Sequence, residues 1–169
     1  MRIVRFASHW PAVAALIAAA MLATAHGFET FGHYPPCELC LKQRDVYWVI
    51  LWSGVALSVA SRIRPTVLRP ACFILTVLFA AECAVAVYHS GVEWKWWPGP
   101  TSCTGAGTHA VTVADMANLL SGKPQHVVQC DVAAFRWIGL SMAGWNAVAA
   151  AGFTLVSALF AWRGVPDHA

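Results

Sequence analysis

Six cysteines stand in the chain, and two are spaced as Cys37-Glu-Leu-Cys40, with Arg44 four residues further on. Thiols at this spacing meet on one helical turn, where they can bind a metal, close a small disulfide or cycle between dithiol and disulfide. Zinc would need a second, closely spaced ligand pair, whereas Cys103 and Cys130 have 26 residues between them. A c-type haem needs histidine directly after the second cysteine, and Leu41 is there instead. The redox choice has a positive argument. Pro35 and Pro36 fix an extended approach to an apolar helix whose unpaired first-turn amides face the cysteines, and Arg44 adds a positive charge one turn beyond Cys40. Cys40 is therefore expected to be an unusually acidic thiol, opposed somewhat by Glu38, with Asp45 as a candidate to share Arg44.

The elements that carry these residues follow from composition. Of the 169 residues, 59% are apolar and 11% charged, against about 25% charged in ordinary soluble domains. Four apolar segments, 11–28, 45–61, 70–88 and 137–162, approach or exceed the roughly 20 residues that span a bilayer. The expected fold is an all-α, four-helix transmembrane bundle in one domain, with connecting loops at 29–44 and 89–136. The net charge of +3 is spread out, and the absence of a long basic run gives nucleic-acid binding little support.

Arg2, Arg5, Arg62, Arg64, Arg69 and Arg163 cluster on one side of these segments with a single acid, Asp167. The other side mixes Lys42, Arg44, Lys95, Lys123 and Arg136 with six acids, Glu29, Glu38, Asp45, Glu93, Asp115 and Asp131. The positive-inside rule then puts both termini in the cytoplasm, and Cys37, Cys40, Cys103 and Cys130 on the outer face. Trp10 and Trp162 on one side, with Tyr88, Trp94, Trp96 and Trp97 on the other, fit interfacial aromatic belts. The N-terminal segment also has features of a signal peptide, with Ala23-Thr24-Ala25 as a cleavage-like site. Its apolar run is longer than that of most signal peptides, so it is read as a retained first helix.

The topology sorts the cysteines. Cys72 and Cys83 lie about 16 Å apart along one helix, too far to bridge, and read as small buried hydrophobes. The four outer cysteines allow three pairings, which sequence leaves open. A 103 to 130 bond would close a 28-residue loop and constrain the unfolded chain by about 3 to 4 kcal/mol, the scale of a structural staple. A 37 to 40 bond closes too small a ring for that purpose. A reactive thiolate at a membrane surface needs an electron acceptor, and a lipid-soluble quinone is the natural one. Arg44 is suited to hydrogen-bond a quinone oxygen as it gains charge.

Between Cys103 and Cys130, Thr112 and Asp115 resemble a capping box, and Val113, Met116, Ala117 and Leu120 fall on one face before Gly122 and Pro124. A short amphipathic interfacial helix is expected there. Within the apolar segments, Glu82 is a candidate proton donor to a reduced quinone, or else a neutral carboxyl bonded inside the bundle. Asn146 is expected to bond another helix, and Gly139, Ala143, Ala147 and Ala151 form a small-residue face suited to close packing.

Together these stretches resemble the disulfide bond formation protein B (DsbB) family of quinone-dependent oxidoreductases of the bacterial inner membrane. The likeness rests on the Cys37-Glu-Leu-Cys40 pair before the second helix, Arg44 after it, "YHSGVEWKWWPGPTSC" ending at Cys103, and "QCDVAAFRWIGLSMAGWN" from Cys130 into the fourth helix. It implies that a periplasmic DsbA-like thioredoxin-fold partner attacks a 103 to 130 disulfide at Cys103. Cys130 then attacks Cys37, and Cys40 passes electrons to ubiquinone or menaquinone beside Arg44, with His89 close to the quinone. The strongly aromatic segment 92–100 resembles one branch of the family, which leaves a DsbI-like protein with a dedicated partner as an alternative. A scaffold with staple disulfides and a cytochrome b type subunit using His26, His33 and His89 are weaker alternatives. The haem reading is hampered by the position of His33 in a loop.

Overall fold

The computed structural model describes residues 2–100 and 130–163, with the backbone alone for residues 2–6. Four long helices make up nearly all of it: α1 (Arg2–Thr30), α2 (Glu38–Ile63), α3 (Leu68–Glu93) and α4 (Met142–Arg163). Each contains a stretch long and apolar enough to cross a membrane. A 3-10 turn, Pro65–Val67, joins α2 to α3, and a two-stranded hairpin, β1 (Arg136–Trp137) and β2 (Leu140–Ser141), precedes α4. The expected amphipathic helix around 112–120 lies outside the described residues.

Burial repeats at alternating steps of three and four residues, the spacing of a helix seam. On α3 the buried positions include Leu68, Cys72, Leu75, Phe79, Glu82, Ala86, His89 and Glu93, and on α4 they include Ala143, Asn146, Ala150 and Ser157. Large apolar side chains such as Leu16, Trp52, Phe73 and Leu155 instead point outward, as they do where lipid is the solvent. The centre holds Ile50, Leu75 and Phe79, all fully buried. Trp10 Nε1 donates to Ser157 Oγ at 2.9 Å and so ties α1 to α4 in the interior. Cys72 is part of this core and Cys83 is half-buried against α4, where its Sγ lies 3.7 Å from the Ala147 carbonyl oxygen; both are free thiols.

Helix α1 begins at Arg2 instead of 11, and three further boundaries differ from the sequence expectation for a local reason. Helix α2 begins at Glu38 instead of 45, because Cys37 occupies its N-cap and accepts from the Cys40 backbone N–H at 3.3 Å. The charged run that looks like a loop is helical, with Glu38 and Lys42 paired at 2.9 Å across one turn. Helix α3 continues to Glu93, placing His89 and Glu93 on one face. Helix α4 begins at Met142, not 137, because Ile138 and Gly139 take φ of 51° and 80° in a two-residue hairpin turn. Ser141 then caps the helix, its Oγ accepting from Gly144 N at 3.1 Å. Gly139 consequently leaves the expected small-residue face, and Ala143 is the one buried member of the remaining three.

The contact of α1 with α2 depends on Gly54, where an added Cβ would lie 2.9 Å from the Pro11 carbonyl oxygen and 3.0 Å from Ala15. Gly54→Ala is expected to destabilise the bundle by about 1 to 3 kcal/mol in detergent unfolding, the scale of core overpacking. Gly152→Ala, at a position with nothing within 4 Å, should show no loss.

Candidate functional site

The N-terminus of α2 meets the C-terminal end of α3 around the Cys37 and Cys40 sulfurs. These are free thiols with Sγ atoms 2.7 Å apart; Cys37 is buried and Cys40 half-buried. The Cys37 thiol is held well above the ordinary thiol range by its hydrogen bond to Cys40 and by burial. One proton can be shared across the short contact between the two sulfurs, either of which can be the donor. The Cys40 sulfur sits in the first turn of α2, where the helix dipole favours negative charge.

His89 reaches this pair from α3. Its Nε2 lies 3.5 Å from Cys37 Sγ and 3.8 Å from Glu93 Oε1, and its Nδ1 lies 3.0 Å from Gln43 Nε2. Cys130, 1% exposed and disulfide-bonded, packs with Cys37, Leu39 and Val92 into one small cluster that Cys40 also touches. The backbone of Cys130 also hydrogen-bonds His89. Two further contacts hold the segment after Cys130 against the end of α3 and the turn that follows it: Lys95 pairs with Asp131, and Ser141 hydrogen-bonds Glu93. Cys103 lies outside the described residues.

Arg44, on the same face as Cys40, turns toward α1. It donates to Glu29 Oε2 at 2.5 Å and to the Ala25 carbonyl at 3.2 Å, with 13% of its side chain exposed. Its carboxylate partner is therefore Glu29 of α1 rather than Asp45. Glu82 is fully buried deeper in the bundle, where Oε1 accepts from Asn146 Nδ2 at 2.7 Å and Oε2 has no hydrogen-bond partner among the described residues. Asn146 does bond other helices: it donates to Gln43 Oε1 at 2.9 Å and accepts from Tyr47 Oη at 2.6 Å.

The bundle thus brings together Cys37, Cys40, His89 and Cys130, and connects Glu82 to them through Asn146 and Gln43. Gln43, Tyr47, Glu93 and Glu29 carry contacts that the motif reading missed. A signal was present: Cys40, Gln43 and Tyr47 recur at three and four residues, as do Glu82, His89 and Glu93 at seven and four, so each set forms a polar stripe in an apolar segment. The Cys37, Cys40 and His89 ligand atoms lie within 4.8 Å of one another, three of the four donors of a closed zinc site. Glu93, the adjacent carboxylate, is hydrogen-bonded to Ser141. His26, more than half exposed, lies 3.7 Å from Glu29, apart from the buried environment of His89.

Removing the Asn146 amide would leave Tyr47, Gln43 and Glu82 each short of a partner. Asn146→Ala is expected to lower stability by roughly 1 to 3 kcal/mol in detergent unfolding. Thr154→Ala, which removes a bond within α4, should stay within about 0.5 kcal/mol of the parent.

A family model described as disulfide bond formation protein DsbB matches residues 7–160. No curated protein and no solved structure matches the chain.

Proposed function

The chain belongs to the DsbB family of disulfide-forming membrane oxidoreductases, and from that premise we propose that it reoxidises a periplasmic dithiol protein at the expense of a membrane quinone. The observation that supports this reading best is the packing of disulfide-bonded Cys130 against the Cys37 and Cys40 pair at the start of α2. One cluster then holds a disulfide-bonded cysteine beside the pair with which it would exchange.

The relay is a sequence of thiolate attacks, each moving one electron pair. A thiolate of a DsbA-like thioredoxin-fold partner attacks Cys103, forming a mixed disulfide and releasing Cys130 as thiolate. Cys130 attacks Cys37 in the oxidised pair, so the 37 to 130 bond forms while the 37 to 40 bond breaks and its electron pair stays on Cys40. The partner's second cysteine then resolves the mixed disulfide and leaves as an oxidised protein, releasing Cys103. Cys103 attacks Cys130, restoring the 103 to 130 bond and freeing Cys37. Two electrons now reside on Cys37 and Cys40.

A quinone, when bound, supplies the two-electron sink that returns this pair to its disulfide. Arg44 suits such a ligand by its donor chemistry. Its contacts with Glu29 and Ala25 use two of five guanidinium N–H groups, and it shares a helix face with Cys40. Both ring nitrogens of His89 already face protein partners, which favours a role for His89 toward Cys37 over one toward the quinone. Glu82 sits behind the site on the hydrogen-bonded side of the bundle. The charge asymmetry of the loops supports a periplasmic site with both termini in the cytoplasm.

Turnover of purified protein with a reduced thioredoxin-fold dithiol partner and a quinone tests the reading, with thiols and quinone absorbance followed together. Cys40→Ser should abolish quinone reduction. Cys103→Ser should block partner oxidation while Cys37 and Cys40 remain reactive to a small dithiol, and undiminished turnover in that variant would reject the relay order. Arg44→Met should raise the quinone KM by about tenfold or more, as expected on losing a hydrogen bond from a charged donor.

A further inference from the structure

A file of hydrogen bonds runs through the bundle in one direction, toward the sulfurs. Tyr47 Oη donates to Asn146 Oδ1 at 2.6 Å, which turns the Asn146 amide nitrogen the other way. That nitrogen gives one proton to Glu82 Oε1 at 2.7 Å and the other to Gln43 Oε1 at 2.9 Å. A flipped Asn146 amide would set its carbonyl against the Glu82 carboxylate, so both ends fix its orientation. With its carbonyl oxygen taken, Gln43 presents Nε2 to His89 Nδ1 at 3.0 Å. An amide nitrogen only donates, so Nδ1 accepts and the proton of the neutral ring sits on Nε2. Nε2 is the atom 3.5 Å from Cys37 Sγ, and Cys37 Sγ in turn lies 2.7 Å from Cys40 Sγ.

We infer that Tyr47, Asn146 and Gln43 are positioning residues that hold His89 as the Nε2–H tautomer, so that a chain of donors ends at the Cys37 sulfur and stabilises negative charge there as that sulfur is released from a disulfide. Bonds aligned head to tail strengthen one another where water is excluded, and Gln43, Glu82, His89 and Asn146 are all buried. His89 in this tautomer has no lone pair on Nε2 with which to take the Cys37 proton. It donates instead, toward the Cys37 sulfur. The Cys130 backbone carbonyl accepts from the same ring proton, which holds the ring against the incoming disulfide. The inference rests on the proposed function only in treating Cys37 and Cys40 as the redox pair.

The test is nitrogen NMR of the reduced full-length protein in lipid nanodiscs at pH 8, with labelled histidine and the His89 signals identified by their loss in His89→Gln. The expected spectrum has a bare Nδ1 and a protonated Nε2. Gln43→Glu keeps the shape but replaces the donor with an acceptor, so Nδ1 should gain a proton. A protonated Nδ1 in the parent protein, or an unchanged Nδ1 signal in Gln43→Glu, would overturn the inference, and the parent spectrum decides the tautomer even if the variant fails to fold. Partner and quinone are absent from this measurement. The expected tautomer in a protein that cannot turn over would count against the proposed function alone.

Discussion

The amide of Asn146 makes three hydrogen bonds inside the bundle, to Tyr47 and Gln43 on α2 and to Glu82 on α3. Lipid offers no alternative partner for these groups, so the three helices must meet at the one register that satisfies them together. That register places Gln43 against His89, and His89 against Cys37, one to two turns nearer the end of the bundle. Apolar packing around Phe79 and Ile50 supplies cohesion but tolerates sliding. The polar hub supplies the specificity that a thiol site requires.

The same constraint accounts for the position of the site at a helix end. Cys37 caps α2 through its sulfur, which satisfies the Cys40 amide and brings the two thiols together in one step. On the other side, the contacts of Lys95 with Asp131 and of Ser141 with Glu93 pin the segment after Cys130 to the end of α3. One half of the candidate site, built into two helices, thus faces a half carried by the segment after Cys130. Arg44 stands apart from the histidine side, held by Glu29 and Ala25 of α1, so that α1 fixes the orientation of a side chain one turn from Cys40 although it carries no cysteine.

The four spans were legible in the sequence because apolar runs of about twenty residues, with so few charges, suit a bilayer better than a water-facing core. The paired cysteines beside Arg44 pointed to thiol redox chemistry, the class of the family to which the chain belongs. The boundaries were less legible. Glu38, Lys42 and Arg44 read as loop residues when hydropathy alone is weighed, yet a cysteine cap and an intrahelical pair make them helical. Trp137 and Ile138 read as helix because they are apolar, whereas positive φ at Ile138 and Gly139 folds them into a hairpin, and the true start signal was the capping hydroxyl of Ser141. The partners of Arg44 and of Asn146 come from other helices, and no local spacing encodes which helices will touch. The 103 to 130 pairing and the interfacial helix fall largely outside the described residues and rest on motif and family.

The central claim is that electrons enter the Cys37 and Cys40 pair through Cys130. Its most direct measurement is peptide mapping of the doubly substituted Cys40→Ser, Cys103→Ser protein after mild oxidation in lipid. With the two outlying sulfurs removed, Cys37 and Cys130 have only each other within the cluster. A 37 to 130 disulfide is predicted as the dominant cross-linked species, and recovery of both residues as free thiols, or of Cys37 bonded elsewhere, would contradict the claim.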